Sequence, residues 1–268
     1  MSKISNGLQW AGDLFQVLVL DRLNPARKRD AELASTACRS LKFHSRSKIP
    51  QVALRDILTS MGCSAVDPVV LPGPGADLGE CGSQIAYHAL GSIVRATQPK
   101  LIFETGTYLG VSALTMALNA PAECHIFTQD LPEEAITAEV AGLNKIDQAH
   151  VETSRYRVGE AFLRSDQKDR ITQIREDSMT FQAEKVLKEV DLAYIDGGHS
   201  LPLITKDTEN AFKVLSARGI MVWDDYFHLY PDVVQYLDEL SGKYVLKGVE
   251  GTNYVVYSPL WKRGGEAK

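Results

Sequence analysis

From Ser83 onward, short apolar runs alternate with stretches whose apolar residues recur at helical spacing. Leu101-Ile102-Phe103, His125-Ile126-Phe127, Ile171 to Ile174, Leu192 to Ile195 and Ile220-Met221-Val222-Trp223 have the length and density of buried strands. Between them, about Ser83 to Thr97, Val111 to Asn119 and Leu203 to Leu215 read as helices, and a long helical insertion separates the second and third strands. Strands alternating with helices predict a parallel sheet covered on both faces, an α/β fold. The tail has a different rhythm. Tyr244-Val245-Leu246 and Tyr254-Val255-Val256-Tyr257 flank Gly251-Thr252-Asn253, which predicts a terminal antiparallel hairpin. Up to about residue 62 the pattern is helical, through Trp10, Leu14, Val17 and Leu18 and then Val52, Leu54, Ile57 and Leu58. Pro25 and Pro50 are placed near helix starts. The Pro- and Gly-rich stretch from Pro68 to Gly82 reads as a junction loop. The chain thus divides into an N-terminal helical cap with its junction loop, 1–80, and an α/β domain, 81–268.

Composition narrows the function classes. The 268 residues are 44% apolar and 24% charged, ordinary for a globular protein. A formal net charge of −5 argues against a nucleic-acid partner, whose affinity rests on neutralising phosphates. The local basic cluster Arg39, Lys42, Arg46 and Lys48 reads as a solvated helix end or loop. Cys38, Cys63, Cys81 and Cys124 are scattered, without a CxxC pair, so neither a zinc site nor a disulfide framework is expected. The apolar run Leu14 to Leu20 is too short to span a bilayer and is flanked by Asp13 and Asp21. No membrane partner and a cytoplasmic location are therefore expected. The apolar face around Trp10, Leu14 and Leu18 predicts that the cap covers a cleft or builds a subunit interface, hence a homo-oligomer, a dimer being favoured.

The candidate chemistry collects at strand ends. The first strand runs into Glu104-Thr105-Gly106-Thr107-Tyr108-Leu109-Gly110, directly before a helix. Glycines there let the backbone approach a ligand, and the helix start offers N–H groups to an anionic one; the alternative is a purely structural turn. Asp130, just past the second strand, is placed to accept hydrogen bonds from ribose hydroxyls or else to cap a helix. The third strand ends in Glu176-Asp177-Ser178, where adenine contacts are expected. In open α/β sheets ligands bind at the carboxyl ends of the strands, and all three motifs lie there. Asp196 follows the fourth strand, while Asp224 and Asp225 follow the fifth. Such hard oxygen groups suit Mg²⁺, unless Asp224-Asp225 caps a helix and Asp196 orients substrate. His199 is the candidate general base, because imidazole titrates near neutrality; the alternative is a loop histidine bonded to backbone. His44, His88, His125, His150 and His228 have no comparable context. Trp223, Tyr226 and Tyr230 either wall an acceptor pocket or belong to the core.

Glu104 to Gly110 resembles motif I of the class I S-adenosylmethionine-dependent methyltransferases. Arg157-Val158-Gly159, Asp177-Ser178, Tyr194-Ile195-Asp196-Gly197-Gly198-His199 and Gly219-Ile220-Met221-Val222-Trp223-Asp224-Asp225-Tyr226 continue the likeness, from about Ser83 to Tyr257. The branch resembled holds macrocin-type sugar O-methyltransferases and cephalosporin-hydroxylase-like proteins. The resemblance implies a Rossmann-like doubly wound sheet of seven strands, order 3-2-1-4-5-7-6, with the last strand antiparallel. It implies S-adenosylmethionine as cofactor and methylation of a small-molecule hydroxyl. Glu104 would face the methionine amino group, and Gly106 would line the methionine tail within the turn that also holds Thr107, Tyr108 and Gly110. Asp130 would hold the ribose, and Ser178 with Asp177 would meet the adenine. Asp196 would border the cofactor and bind the metal with Asp224 and Asp225. The family often has Gly before the Asp-Ser pair, where this chain has Glu176. The same strand-end pattern also fits a nicotinamide dinucleotide oxidoreductase or a non-catalytic Rossmann-like binding protein. Against the first, Gly106 and Gly110 do not form a G-x-G-x-x-G fingerprint.

Overall fold

The computed structural model describes residues 47–69, 84–132, 135, 143, 147–148, 151–152 and 156–261. The chain divides into two compact units, Met1–Ser47 and Lys48–Lys268, and the architecture below is that of the second. The helical readings around Trp10 to Pro25, the cluster at Arg39 to Arg46, Cys38, Cys81 and most of the junction loop lie outside the described residues.

The elements are β1 (Gln51–Val52), α1 (Leu54–Ser60), α2 (Gln84–Thr97), β2 (Leu101–Thr105), α3 (Val111–Asn119), β3 (His125–Asp130), α4 (Glu160–Leu163), β4 (Ile171–Arg175), β5 (Val190–Ile195), α5 (Leu201–Val214), β6 (Leu215–Trp223), α6 (Pro231–Leu240), β7 (Leu246–Val249) and β8 (Val255–Tyr257). They form one sheet in the order β1-β7-β8-β6-β5-β2-β3-β4. β8 runs antiparallel to both its neighbours, and the other pairings are parallel.

The expected α/β class and terminal hairpin are present, but the sheet has eight strands rather than seven, and the order differs accordingly at one edge. The added strand is Gln51–Val52, which the apolar spacing assigned to a helix. Its cause is tertiary. Gly248 N–H donates to Pro50 O at 2.9 Å and Glu250 N–H to Val52 O at 3.1 Å, so the segment satisfies an edge that β7 would otherwise leave open. The helix begins only at Leu54 and buries Ile57 and Leu58.

Alternation along the central strands splits the core into two layers. Ile102, Leu192, Tyr194, Ile220 and Val222 pack with buried residues of α1, α2 and α3. Between these positions, Phe103 and Trp223 meet other partners: Phe103 contacts Phe181, and Trp223 contacts Phe212 and donates its indole N–H to Thr208 Oγ1 at 2.9 Å. α2 presents Ala86, Ala89, Leu90, Ile93 and Val94 inward, the i, i+3, i+4 stripe of an amphipathic helix. A parallel sheet covered in this way directs its strand ends, and the loops after them, to one edge.

Candidate active site

The turn between β2 and α3 is built by backbone conformations that most residues avoid. Gly106 has φ +87°, and a Cβ there would lie 1.9 Å from the carbonyl oxygen of Asp196. Tyr108 and Gly110 also have positive φ, at 44° and 78°. At Gly110 a Cβ would lie 2.5 Å from the Phe162 ring and 2.9 Å from Gly159 Cα. The close approach is used. Gly159 N–H donates to Tyr108 O at 2.8 Å and Ala161 N–H to Leu109 O at 2.9 Å, which clamps the turn from the start of α4. This accounts for Arg157-Val158-Gly159 among the resembling motifs.

Asp130, the last residue of β3, holds the same turn from the other side. Its Oδ2 accepts the N–H groups of Thr107 at 3.0 Å and Tyr108 at 2.9 Å, and its Oδ1 accepts that of Leu131 at 2.8 Å. An ionised carboxylate offers about four acceptor positions, so one, on Oδ1, is left for a ligand. Burial raises the Asp130 pKa, against the pull of the Tyr108, Leu131 and Thr107 amides and the nearby Arg175 charge. Glu104 sits beneath the turn with 0% exposure, and neither carboxylate oxygen has a hydrogen-bond partner among the described residues. Burial pushes its pKa up to about 8, against the pull of the nearby Ser112 and Thr128 hydroxyls, which stand too far off to count as hydrogen-bond partners.

At the end of β4, Ser178 Oγ donates to Gln129 Oε1 at 3.1 Å, while the Gln129 amide donates to the Glu176 carbonyl. Glu176 therefore serves through its backbone. Asp177 closes the turn, its carboxylate accepting from Met179 N–H at 2.9 Å. Gln129 is a buried organiser that sequence reasoning passed over, although its place at the penultimate position of β3 is visible in the register.

The acidic residues come together because Ile195 and Trp223 are paired across β5 and β6, setting the residues after them side by side. Asp196 N–H donates to Thr105 O and Asp224 N–H to Ile195 O, both at 3.0 Å. Asp196, His199 and Asp225 each offer one ligand atom, all within 4.8 Å of one another. Asp224 is turned from that group. Its Oδ2 accepts the Tyr194 hydroxyl at 2.9 Å and its Oδ1 accepts the Asp225 N–H at 2.7 Å. Asp225 adopts φ +61°. Burial, then repulsion by Asp224 and Asp225, holds the Asp196 carboxyl well above the usual range. Burial and the Asp225 charge bring Asp224 to about 7.

His199 lies between two carboxylates. Nδ1 is 2.5 Å from Asp147 Oδ1, the backbone N–H donates to Asp147 Oδ2 at 3.0 Å, and Nε2 is 2.7 Å from Asp225 Oδ2. Its ring stacks on Tyr230, with centroids 4.1 Å apart and an 18° interplanar angle. Burial lowers the imidazole pKa, but hydrogen bonds to Asp147 and Asp225 outweigh it and carry the pKa to about 10. Both ring nitrogens then donate. Asp147 carries no motif in the sequence: it lies in Lys145-Ile146-Asp147-Gln148, and only the fold brings it to His199. Of the three aromatics weighed as pocket walls, Trp223 and Tyr226 are core, with exposures of 0% and 1%, whereas Tyr230 reaches the site. Cys63 and Cys124 are free. Among the described residues, no helix is long and apolar enough to cross a membrane.

No curated protein matches this chain in sequence. Among solved structures, an S-adenosylhomocysteine-bound methyltransferase of Podospora anserina is similar at 18% identity, over 87% of this chain and 96% of that one, with a TM-score of 0.48. A methyltransferase of Geobacter sulfurreducens has 16% identity over 78% and 98% of the two chains and a TM-score of 0.48. An O-methyltransferase of Streptomyces achromogenes involved in tomaymycin synthesis, in complex with S-adenosylmethionine, has 13% identity over 82% and 95%, again at 0.48. Residues 103–226 match a family model described as a methyltransferase domain, and that span holds the glycine turn, Asp130 and the whole acidic cluster. The span 103–226 is thus similar to a methyltransferase domain, in keeping with the motifs from Glu104 to Tyr226 that resemble the S-adenosylmethionine-dependent methyltransferases.

Proposed function

We propose that this chain transfers the methyl group of S-adenosylmethionine to a hydroxyl of a small molecule, with a divalent cation held at the ends of β5 and β6. The observation that carries the reading is Glu104: a fully buried carboxylate with no partner at hydrogen-bonding distance on either oxygen, beside a turn in which a Cβ at Gly106 would clash with the Asp196 carbonyl. A buried carboxylate in that state is complementary to an ammonium group, here the amino group of the cofactor's methionine moiety. Gly106, Thr107, Tyr108 and Gly110 line that moiety, and the open acceptor position on Asp130 takes a ribose hydroxyl. Ser178 and Asp177 border the adenine, and Asp196 separates cofactor from cation.

The acidic cluster fits a cation. Ligands on a sphere of about 2.1 Å radius stand about 3 Å apart at right angles and about 4 Å apart when opposed. The donor atoms of Asp196, His199 and Asp225 all lie within 4.8 Å of one another, close to that span. When bound, the cation would polarise the acceptor hydroxyl and lower its pKa. The chain's own part is to orient that oxygen in line with the methyl group, a contribution that can reach many orders of magnitude in effective concentration. As the C–O bond forms, the sulfonium S–C bond breaks, its electron pair leaving on the sulfur of S-adenosylhomocysteine, and the hydroxyl proton passes to a carboxylate of the cluster. We do not assign the free-base role to His199, because both its nitrogens are occupied by carboxylates that favour the imidazolium. The oxidoreductase alternative has no support beside a methyltransferase-domain match over 103–226.

A screen of hydroxylated small molecules for S-adenosylhomocysteine release, with and without chelator, tests the reading. Product formation that stops on chelation while cofactor binding survives is the expected result. Turnover only on amines, or undiminished turnover in excess chelator, would contradict it.

A further inference from the structure

Asp147 grips His199 at two points, the ring Nδ1 and the backbone N–H, and is itself only 4% exposed. Tyr230 covers one face of the ring. The imidazole is thus fixed from outside the acidic cluster, with Nε2 directed at Asp225 Oδ2 across 2.7 Å. That separation is close to the roughly 3 Å expected of two neighbouring ligands on one cation. A histidine whose other ring nitrogen donates to a carboxylate is the arrangement metal-binding histidines usually show, since the carboxylate sets both tautomer and ring orientation. Asp224 shows the opposite. Tyr194 and the Asp225 N–H occupy its two oxygens, and the Tyr254 hydroxyl lies 3.4 Å beyond that of Tyr194.

Resting on the proposed cation-assisted reading, we infer that the ligands are Asp196, His199 Nε2 and Asp225, with Asp147 orienting the histidine, and that this mixed nitrogen–oxygen set takes a first-row transition-metal dication in preference to Mg²⁺. Carboxylate and water ligands alone suit Mg²⁺, whereas an imidazole moves the preference toward the first-row transition metals. Asp224 is then a positioning residue. It holds the Asp225 backbone in its left-handed conformation through the N–H bond, and is itself anchored by Tyr194. On binding, the Nε2 proton leaves to solvent, and the Nδ1 proton stays directed at Asp147.

The test uses the full-length protein with Mn²⁺ as the only added cation, read by pulsed electron paramagnetic resonance. Bound Mn²⁺ is expected to show coupling to an imidazole ¹⁴N, converted to a ¹⁵N pattern in protein labelled with ¹⁵N-histidine; neither measurement needs a variant. Calorimetry should show Mn²⁺ binding tighter than Mg²⁺. Asp147→Asn should weaken Mn²⁺ binding by about 10–100-fold, the usual span for partners of a ligating histidine, and Asp224→Asn by less. Bound Mn²⁺ without nitrogen coupling would overturn the inference and return the ligand set to carboxylates, leaving the methyltransferase reading in place. Absence of binding by Mn²⁺, Zn²⁺ and Mg²⁺ alike would overturn the cation reading itself.

Discussion

The two ends of the candidate site are both acidic, yet they are held in opposite ways. At the β2–α3 turn, Asp130 spends three acceptor positions on backbone N–H groups, so its charge is neutralised by the loop it shapes. At the β5–β6 end, Asp196, Asp224 and Asp225 repel one another, and burial adds to the penalty. The Asp130 loop is a finished scaffold with one acceptor position to spare, and the single conflict left at that end is the buried Glu104 carboxyl group. The second is charge gathered at a cost to stability, offset in part by the His199 imidazolium. Where polar groups satisfy themselves, the reading is architecture; where they are left in conflict, the reading is chemistry.

The largest effect is expected at Gly106. In Gly106→Ala the new methyl group would meet the Asp196 carbonyl, and the positive φ adds strain of about 1–3 kcal/mol. Thermal melting should fall by several degrees, and the rise in melting temperature caused by S-adenosylhomocysteine should vanish. A variant that melts and binds like wild type would remove the turn from the site. Next comes a paired contrast between the two ends. Asp130→Ala orphans three N–H groups, a loss of about 1–3 kcal/mol for each that stays buried and dry, and should weaken both the fold and cofactor binding. Asp196→Asn relieves repulsion, so its stability in urea should hold or rise while turnover collapses. Equal destabilisation by both would break the comparison.

A smaller effect follows from pH. Glu104 keeps its proton in the folded state up to about 8, against an ordinary value of 4.5. Between those values the unfolded chain binds fewer protons, so stability falls as pH rises through the window. His199, with a folded pKa of about 10 against 6.5, makes its contribution in full below 6.5 and loses it as pH rises through 10. Denaturation curves across pH should lose the first slope in Glu104→Gln and the second in His199→Gln. The smallest effect on function is expected at Trp223. Trp223→Phe removes the bond to Thr208 and leaves a small cavity, a loss of about 1–3 kcal/mol in stability, but the effect on KM for the acceptor should be nil, as befits a core residue. A large rise in KM would return Trp223 to the pocket wall.

What was legible in the sequence divides along the same line. The turn from Glu104 to Gly110 is contiguous, its glycines advertise positive φ, and Asp130 follows a strand whose apolar run is plain. Local pattern therefore finds that end. Gathering Asp196 with Asp225 needs only the βαβ order. Asp147 is different: no periodicity or spacing marks it, and its role exists only once the fold sets it against His199. Asp224 was visible as a carboxylate but not as one facing Tyr194, because the direction of a side chain after a strand depends on the left-handed Asp225 that follows. Gln51–Val52 failed for a related reason. Strand pairing at an edge depends on a partner about 200 residues away in the chain, and two residues carry no period.

In the proposed function the β2–α3 turn binds S-adenosylmethionine through the buried Glu104 carboxylate. Isothermal calorimetry of S-adenosylhomocysteine near pH 7, in buffers of differing ionisation enthalpy, tests it most directly. An incoming ammonium group should lower the Glu104 pKa, so binding should release a proton, the observed heat should follow the buffer, and Glu104→Gln should bind weakly with no proton release. Buffer-independent heat together with undiminished affinity in Glu104→Gln, or no binding at all, would contradict the account.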